Sequence, residues 1–159
     1  MSRTNVDYPV LVVGAGPAGA VAALDLARTG VRVLVLTRER AGRGQAAELL
    51  APEGRRVLED AGIWSQVPPD LISPCSKIAA AWASPDPAWT SFATHPAGFG
   101  WHVDRIRFDA WLLDLLAARG LDVKRGTASE VRAGEHGWTV VFEAGGGQQS
   151  VSTSCLVLA

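Results

Sequence analysis

The chain has 159 residues, 48% hydrophobic and 19% charged, with a formal net charge of −1; that suffices for one globular domain and is too apolar for a disordered segment. No basic run favours nucleic acid or an anionic membrane as partner, and no apolar stretch approaches the roughly 20 residues of a membrane-spanning helix. The polar first residues do not read as a secretion signal, and Cys75 and Cys155 match no metal spacing, which predicts two reduced thiols in a cytoplasmic protein.

Residues 10–13, Val-Leu-Val-Val, form a β-branched run suited to a strand buried on both faces. A glycine turn follows at 14–19. Residues 18–28 have helical character, with Gly30 placed as a C′ cap, and 31–36 read as a second buried strand. The stretch 9–37 is therefore a βαβ unit. Residues 38–45 are a polar loop. The segment 48–61 reads as one helix, interrupted by Pro52 and stopped by Gly62, and 63–74 as proline-broken and irregular. Strands are expected at 78–83 and 89–94 around a Ser-Pro-Asp-Pro turn, and a third at 100–103. Asp104 is placed to cap a helix over 105–119 that ends at Gly120. A short strand begins at Val123. Val131, residues 138–142 and Val151 suggest an antiparallel meander, and 155–159 a separate buried strand. No linker divides the chain. Ending on a core strand suggests truncation and predicts an exposed apolar edge with poor solubility.

The chemistry-bearing motif is Gly14-Ala15-Gly16-Pro17-Ala18-Gly19. Gly14 permits the sharp turn out of the strand, Gly16 lets a pyrophosphate approach the backbone, and Gly19 lets helix and strand pack closely. Pro17 suits the first helical turn, where its missing N–H costs nothing. Free N–H groups and the helix dipole then favour a diphosphate. Glycine-rich turns arise by chance, but this one has the strand, the small-faced helix and the second strand that a dinucleotide site requires. An acidic residue usually closes the second strand and binds the adenosine ribose; here that position is Thr37, followed by Arg38 and Glu39. Thr37 offers one uncharged hydrogen bond; Glu39 would substitute for the carboxylate if the loop curls back, Arg38 would instead favour a phosphate, and a Thr37 that only ends the strand is the plainer alternative.

Four segments resemble the FAD-dependent monooxygenase and halogenase superfamily, which includes aromatic hydroxylases, tryptophan-halogenase-like and geranylgeranyl-reductase-like proteins. They are Val10-Leu-Val-Val-Gly-Ala-Gly-Pro-Ala-Gly19, Glu48-Leu-Leu-Ala-Pro52, Gly100-Trp-His-Val-Asp-Arg-Ile-Arg-Phe-Asp109 and Cys155-Leu-Val-Leu-Ala159. The resemblance implies an α/β, Rossmann-like FAD/NAD(P)-binding domain over 1–159, with a parallel sheet, a β-meander and an inserted antiparallel segment at 75–103 that begins the substrate-side strands. It implies FAD as cofactor and NAD(P)H as reductant. Gly14, Gly16, Pro17, Ala18 and Gly19 would hold the diphosphate. Thr37 and Arg38 would border the ribose, Arg43 would strap the cofactor, Arg105 would lie on the flavin side and Ala128 would meet the adenine through its backbone. The implied activity is an oxidoreductase of monooxygenase type on a small organic substrate. A missing C-terminal portion or a separate chain would complete the flavin site. A truncated or split FAD/ADP-binding module without catalysis, and an NAD(P)-dependent Rossmann protein, are the alternatives; the meander and the Arg105 segment speak against the latter.

No residue is singled out as a catalytic acid or base, and no metal ligand set is present. His102 reads as a strand histidine, with a pocket position as its alternative. Asp104 is expected as an N-cap and Asp109 on the helix surface. Lys77 and Lys124, the only lysines, read as surface residues. Trp82, Trp89 and Trp101 are assigned to core and sheet packing, as aromatic residues usually are, with a substrate-facing role as the alternative.

Overall fold

The computed structural model describes residues 7–38, 47–82 and 85–159. The chain forms two compact units, one from Met1–Gly42 with Asp109–Ala159 and one from Arg43–Phe108.

The first unit is built on a six-stranded sheet. Strand β1 (Tyr8–Val13) leads into helix α1 (Pro17–Arg28) and then strand β2 (Val33–Thr37). Here β1 and β2 are parallel, with Val10 beside Val33 and Val13 beside Leu36. The expected βαβ unit is therefore present, with β2 shifted so that Thr37 closes it. Gly30 follows the helix in a left-handed conformation, its N–H bonded to the Ala27 carbonyl at 3.0 Å. Strand β8 (Asp122–Arg125) extends the parallel layer beyond β2. Strands β9 (Thr127–Gly134), β10 (Gly137–Ala144) and β11 (Gly147–Leu158) form the meander, and the sheet order is β8-β2-β1-β11-β10-β9.

The terminal run 155–159 is not a separate strand. Residues 155–158 are the second half of β11, a single strand of 12 residues, and Ala159 follows it. Its first half pairs antiparallel with β10, Val151 opposite Val140. Its second half pairs parallel with β1, Leu156 beside Leu11. The chain stays extended through both halves, with no turn between them. One face of this sheet carries a core of Leu11, Leu34, Leu36, Val140, Phe142 and Val151. The opposite face carries Val12 and Val35, fully buried, with α1 packed on β1 and β2. The continuous β-branched runs of β1 and β2 follow from burial on both faces.

An acid-sensitive clasp joins the residue before β1 to the middle of β11. The Asp7 carboxylate accepts hydrogen bonds from the Ser152 backbone N–H at 2.8 Å and from its hydroxyl at 2.9 Å. Both bonds favour the ionised form, the backbone bond most, and hold this carboxyl below its ordinary value of 3.8. Its stabilising contribution is thus present above that value and is lost as the pH falls through the lower folded-state value. Asp7→Asn is expected to flatten this part of the acid limb: its urea midpoint should drop less than the parent's between pH 6 and pH 3. Equal drops would remove the clasp as a cause.

The second unit corrects two expectations. Residues 48–61 are not one helix. Strand β3 (Ala47–Leu50) is followed by helix α2 (Pro52–Asp60). Proline disfavours a helical residue before it, and Ala51 is extended at φ −60°, ψ 157°. Pro52 therefore begins the helix rather than interrupting one. The segment expected to be irregular holds two 3₁₀ turns, Trp64–Gln66 and Pro69–Leu71, and strand β4 (Ile72–Cys75). Pro74 is tolerated there because β4 is an edge strand of its three-stranded sheet. The central strand is β7 (Gly100–Asp104), antiparallel to both neighbours. Strands β5 (Lys77–Ala80) and β6 (Ala88–Ser91) form the expected separate hairpin.

Helix α3 (Arg105–Ala118) begins in the second unit and ends in the first. Asp104 caps it as expected, accepting from the Arg107 N–H at 3.2 Å. Asp109 is not on the helix surface; it is buried, only 6% exposed.

Candidate functional site

The glycine turn stands between β1 and α1. Gly14 has φ +109°, a conformation that side chains rarely adopt. Its N–H bonds the Leu36 carbonyl at 2.8 Å, and the Ala159 N–H bonds the Val13 carbonyl at 2.9 Å. A Cβ at Gly14 would lie 2.0 Å from the Ala159 carbonyl oxygen, and one at Gly19 would lie 2.0 Å from the Gly14 carbonyl oxygen. These two glycines thus serve backbone packing, and Ala159 is part of the floor beneath the turn.

Gly16 has an ordinary φ of −69° and is the N-cap of α1, with no side chain capping the helix and no acidic residue in its first turn. Pro17 follows at N1. Gly16 and Pro17 are half-buried and Ala18 is exposed, while Ala15, Gly19 and Ala20 are buried. The helix thus presents its positive end and its backbone donors without any side chain of its own to satisfy them, and that donor set fits a diphosphate.

The neighbouring strand ends lie on the same edge. Thr37 is half-buried at the end of β2, its carbonyl accepting from the Gly126 N–H at 2.8 Å. Its hydroxyl has only a long contact of 3.5 Å with the Arg38 carbonyl. Arg38 is exposed. Ala128 lies opposite Phe142 in the meander and packs against the core. Arg43, Gln45 and Glu39 lie outside the described residues.

In the second unit, Arg105 forms an ion pair with Glu48 of β3. Its side chain is 21% exposed, so it is not simply solvated. The two motif segments that carry Glu48 and Arg105 are thereby joined, a link their spacing does not reveal. Glu48→Gln is expected to cost about 1 kcal/mol, as a partly exposed ion pair does. Salt should screen the loss, so the difference in urea midpoint should shrink at 1 M NaCl; a difference independent of salt would argue against a charge effect.

A cavity of about 300 Å³ in this unit is lined by Asp70, Ser73, His102 and Asp104, among others. Arg107 pairs with Asp70, holding that carboxyl below its ordinary value. His102 is an exposed strand residue and also lines this cavity. The tryptophans depart from the packing assignment: Trp82 is 95% and Trp89 62% exposed. Only Trp101 packs inward, edge-on to Trp64 at 5.0 Å, with Arg55 over both rings. Lys77 and Lys124 are exposed as expected. Cys75 and Cys155 are unpaired. Among the described residues no cluster suits a metal ion, and no helix is long and apolar enough to cross a membrane.

The protein family described as FAD binding domain matches residues 7–157. The chain belongs to that family. FAD is its cofactor, and the uncapped turn at Gly16 fits that cofactor's diphosphate. Among relatives, the chain is 30% identical over 142 residues to the 1H-pyrrole-2-carbonyl-[peptidyl-carrier protein] chlorinase of Pseudomonas fluorescens, covering 76% of this chain and 31% of that protein. It is 33% identical over 134 residues to the geranylgeranyl diphosphate reductase of Rhodobacter capsulatus, covering 84% and 32%. The myxobacterial chondrochloren halogenase has a similar structure, with TM-score 0.79, 28% identity and coverage of 96% and 37%. The p-nitrophenol 4-monooxygenase of Pseudomonas putida shares the fold, with TM-score 0.77, 18% identity and coverage of 96% and 40%. The chain thus spans about a third of the length of these curated relatives. The expected superfamily resemblance, the α/β fold with parallel sheet and meander, and the cofactor are borne out.

Proposed function

We propose that this chain is the cofactor-holding part of a flavin-dependent oxidoreductase of monooxygenase type, acting on a small organic substrate with NAD(P)H as reductant. The observation that supports it most is the uncapped α1 N-terminus above Gly14 and Gly19, in a chain of the FAD-binding family. The backbone at Gly16, Ala18 and Gly19 would hold the diphosphate, with Pro17 fixing the first helical turn. Thr37 and Arg38 would border the adenosine ribose, and Ala128 would meet the adenine. Arg105, oriented by Glu48, is assigned to the flavin side. Bound FAD supplies the hydride and oxygen chemistry; the protein binds and orients it. The strands within 75–103 would begin the substrate side. A further segment or a separate chain would complete the flavin site, in keeping with relatives about three times as long. The two free cysteines agree with a cytoplasmic setting.

The visible spectrum of the purified protein tests the binding half. Flavin absorbance near one equivalent is expected, and a protein that neither carries nor takes up FAD would sink this reading. NADPH oxidation by the FAD-loaded protein tests the catalytic half. The short coverage of the relatives favours a second reading, a module that binds FAD or its ADP part without turnover; bound FAD with no NADPH oxidation is its signature.

A further inference from the structure

The adenosine end of the site carries a feature that FAD does not require. Strand β8 is parallel to β2, and Thr37 lies beside Arg125. Laterally paired residues in a parallel sheet point to the same face. Thr37 and Arg125 therefore share the face of Val35, the α1 side, opposite the core that contains Leu34 and Leu36. The three chain ends follow one another along the sheet edge: the glycine turn at the end of β1, Thr37 at the end of β2, and Arg125 at the end of β8. Neighbouring ends are one strand spacing apart, about 4.8 Å. Arg125 and Arg38 are both exposed, and no ion pair joins either to a carboxylate of the described residues. Where a carboxylate would receive the ribose diol and repel an added phosphate, the described residues of this edge have the Thr37 hydroxyl, with Arg125 beside it and Arg38 next in sequence.

From this we infer that the adenosine end accepts a ribose bearing a phosphate, and that Arg125 is a specificity-determining residue there. A carboxylate in this position selects an unmodified ribose, whereas a nearby arginine accommodates a 2′-phosphate. Guanidinium groups suit that partner because their fork of donors matches phosphate oxygens. Lys124, next in sequence, provides an internal comparison. It lies beside Leu36 on the opposite face, its ammonium 5.7 Å from the centre of the Phe142 ring. A general positive field would involve both cations, whereas a positioned contact involves Arg125 alone.

The inference rests on the proposed placement of the adenosine, so one titration follows both. Flavin-stripped protein is titrated with FAD by fluorescence, then with 5′-AMP, adenosine 2′,5′-bisphosphate and adenosine 3′,5′-bisphosphate by calorimetry. At least one bisphosphate is expected to bind about tenfold more tightly than 5′-AMP, from which it differs only by the ribose phosphate, the gain of one charge-assisted hydrogen bond. The tighter of the two identifies the phosphate position, a 2′-phosphate as in phosphorylated nicotinamide dinucleotides or a 3′-phosphate as in coenzyme A. Arg125→Gln should reduce the preference to within about threefold. Lys124→Gln should leave it in place. FAD binding without any preference for a bisphosphate overturns the inference and spares the functional proposal. Equal losses in Arg125→Gln and Lys124→Gln also overturn it, and binding of neither FAD nor any adenine nucleotide overturns both.

Discussion

Gly14→Ala is expected to lower folding stability by about 4 kcal/mol, combining a strained backbone with an overpacked contact of about 1–3 kcal/mol each. The added methyl would meet the Ala159 carbonyl oxygen at 2.0 Å, and the residue would have to keep φ +109°. The Ala159 backbone is tied to Val13 and cannot yield without loosening the end of β11. Domain stabilities are about 5–15 kcal/mol, so this single methyl removes a large fraction. Gly16→Ala offers the contrast. At φ −69° alanine is unstrained, so stability should change by less than about 0.5 kcal/mol, while FAD affinity falls because the methyl stands where the diphosphate is to approach. Urea unfolding and flavin fluorescence, measured on both variants, separate the two roles. If the stability losses were equal, the division between floor and ligand contact would be wrong.

Thr37→Glu is expected to tighten FAD binding by about 1.5–3 kcal/mol, the value of a hydrogen bond to a charged group. The existing hydroxyl makes only a 3.5 Å contact with the Arg38 carbonyl, so the substitution sacrifices little. The position is half-buried at a strand end, which leaves room for a longer side chain to reach the ribose. The same change places a carboxylate beside Arg125 and should abolish a preference for phosphorylated ribose. An unchanged dissociation constant for FAD would mean that the ribose does not lie at this strand end.

The βαβ unit and the Asp104 cap were legible because their chemistry is local. A buried strand, a glycine turn, a proline at the first helical position and a capping aspartate each act within a few residues. The strand at Glu48, Leu49 and Leu50 was not legible. Those residues favour helix, and only antiparallel pairing with Val103, His102 and Trp101 makes them a strand. Asp109 follows an apolar helix pattern but turns inward, a fact set by packing around the helix rather than by its own spacing. For Trp82 the residue type misled, since a large aromatic side chain is usually covered. At the candidate site the glycines were readable, while the Glu48 pairing of Arg105 and the place of Arg125 beside Thr37 were not. Both depend on registers between strands distant in sequence.

β11 also bears on how the protein comes into being. Its second half completes the floor under Gly14, and its first half is clasped to Asp7, a partner 145 residues away. Contacts of such long separation close late and slow folding. On the ribosome the glycine turn is made early, yet it has no floor until residues 147–159 emerge. Until residues 147–159 have been made, β1 has one of its two edges unpaired and the turn lacks the backbone that closes it from below.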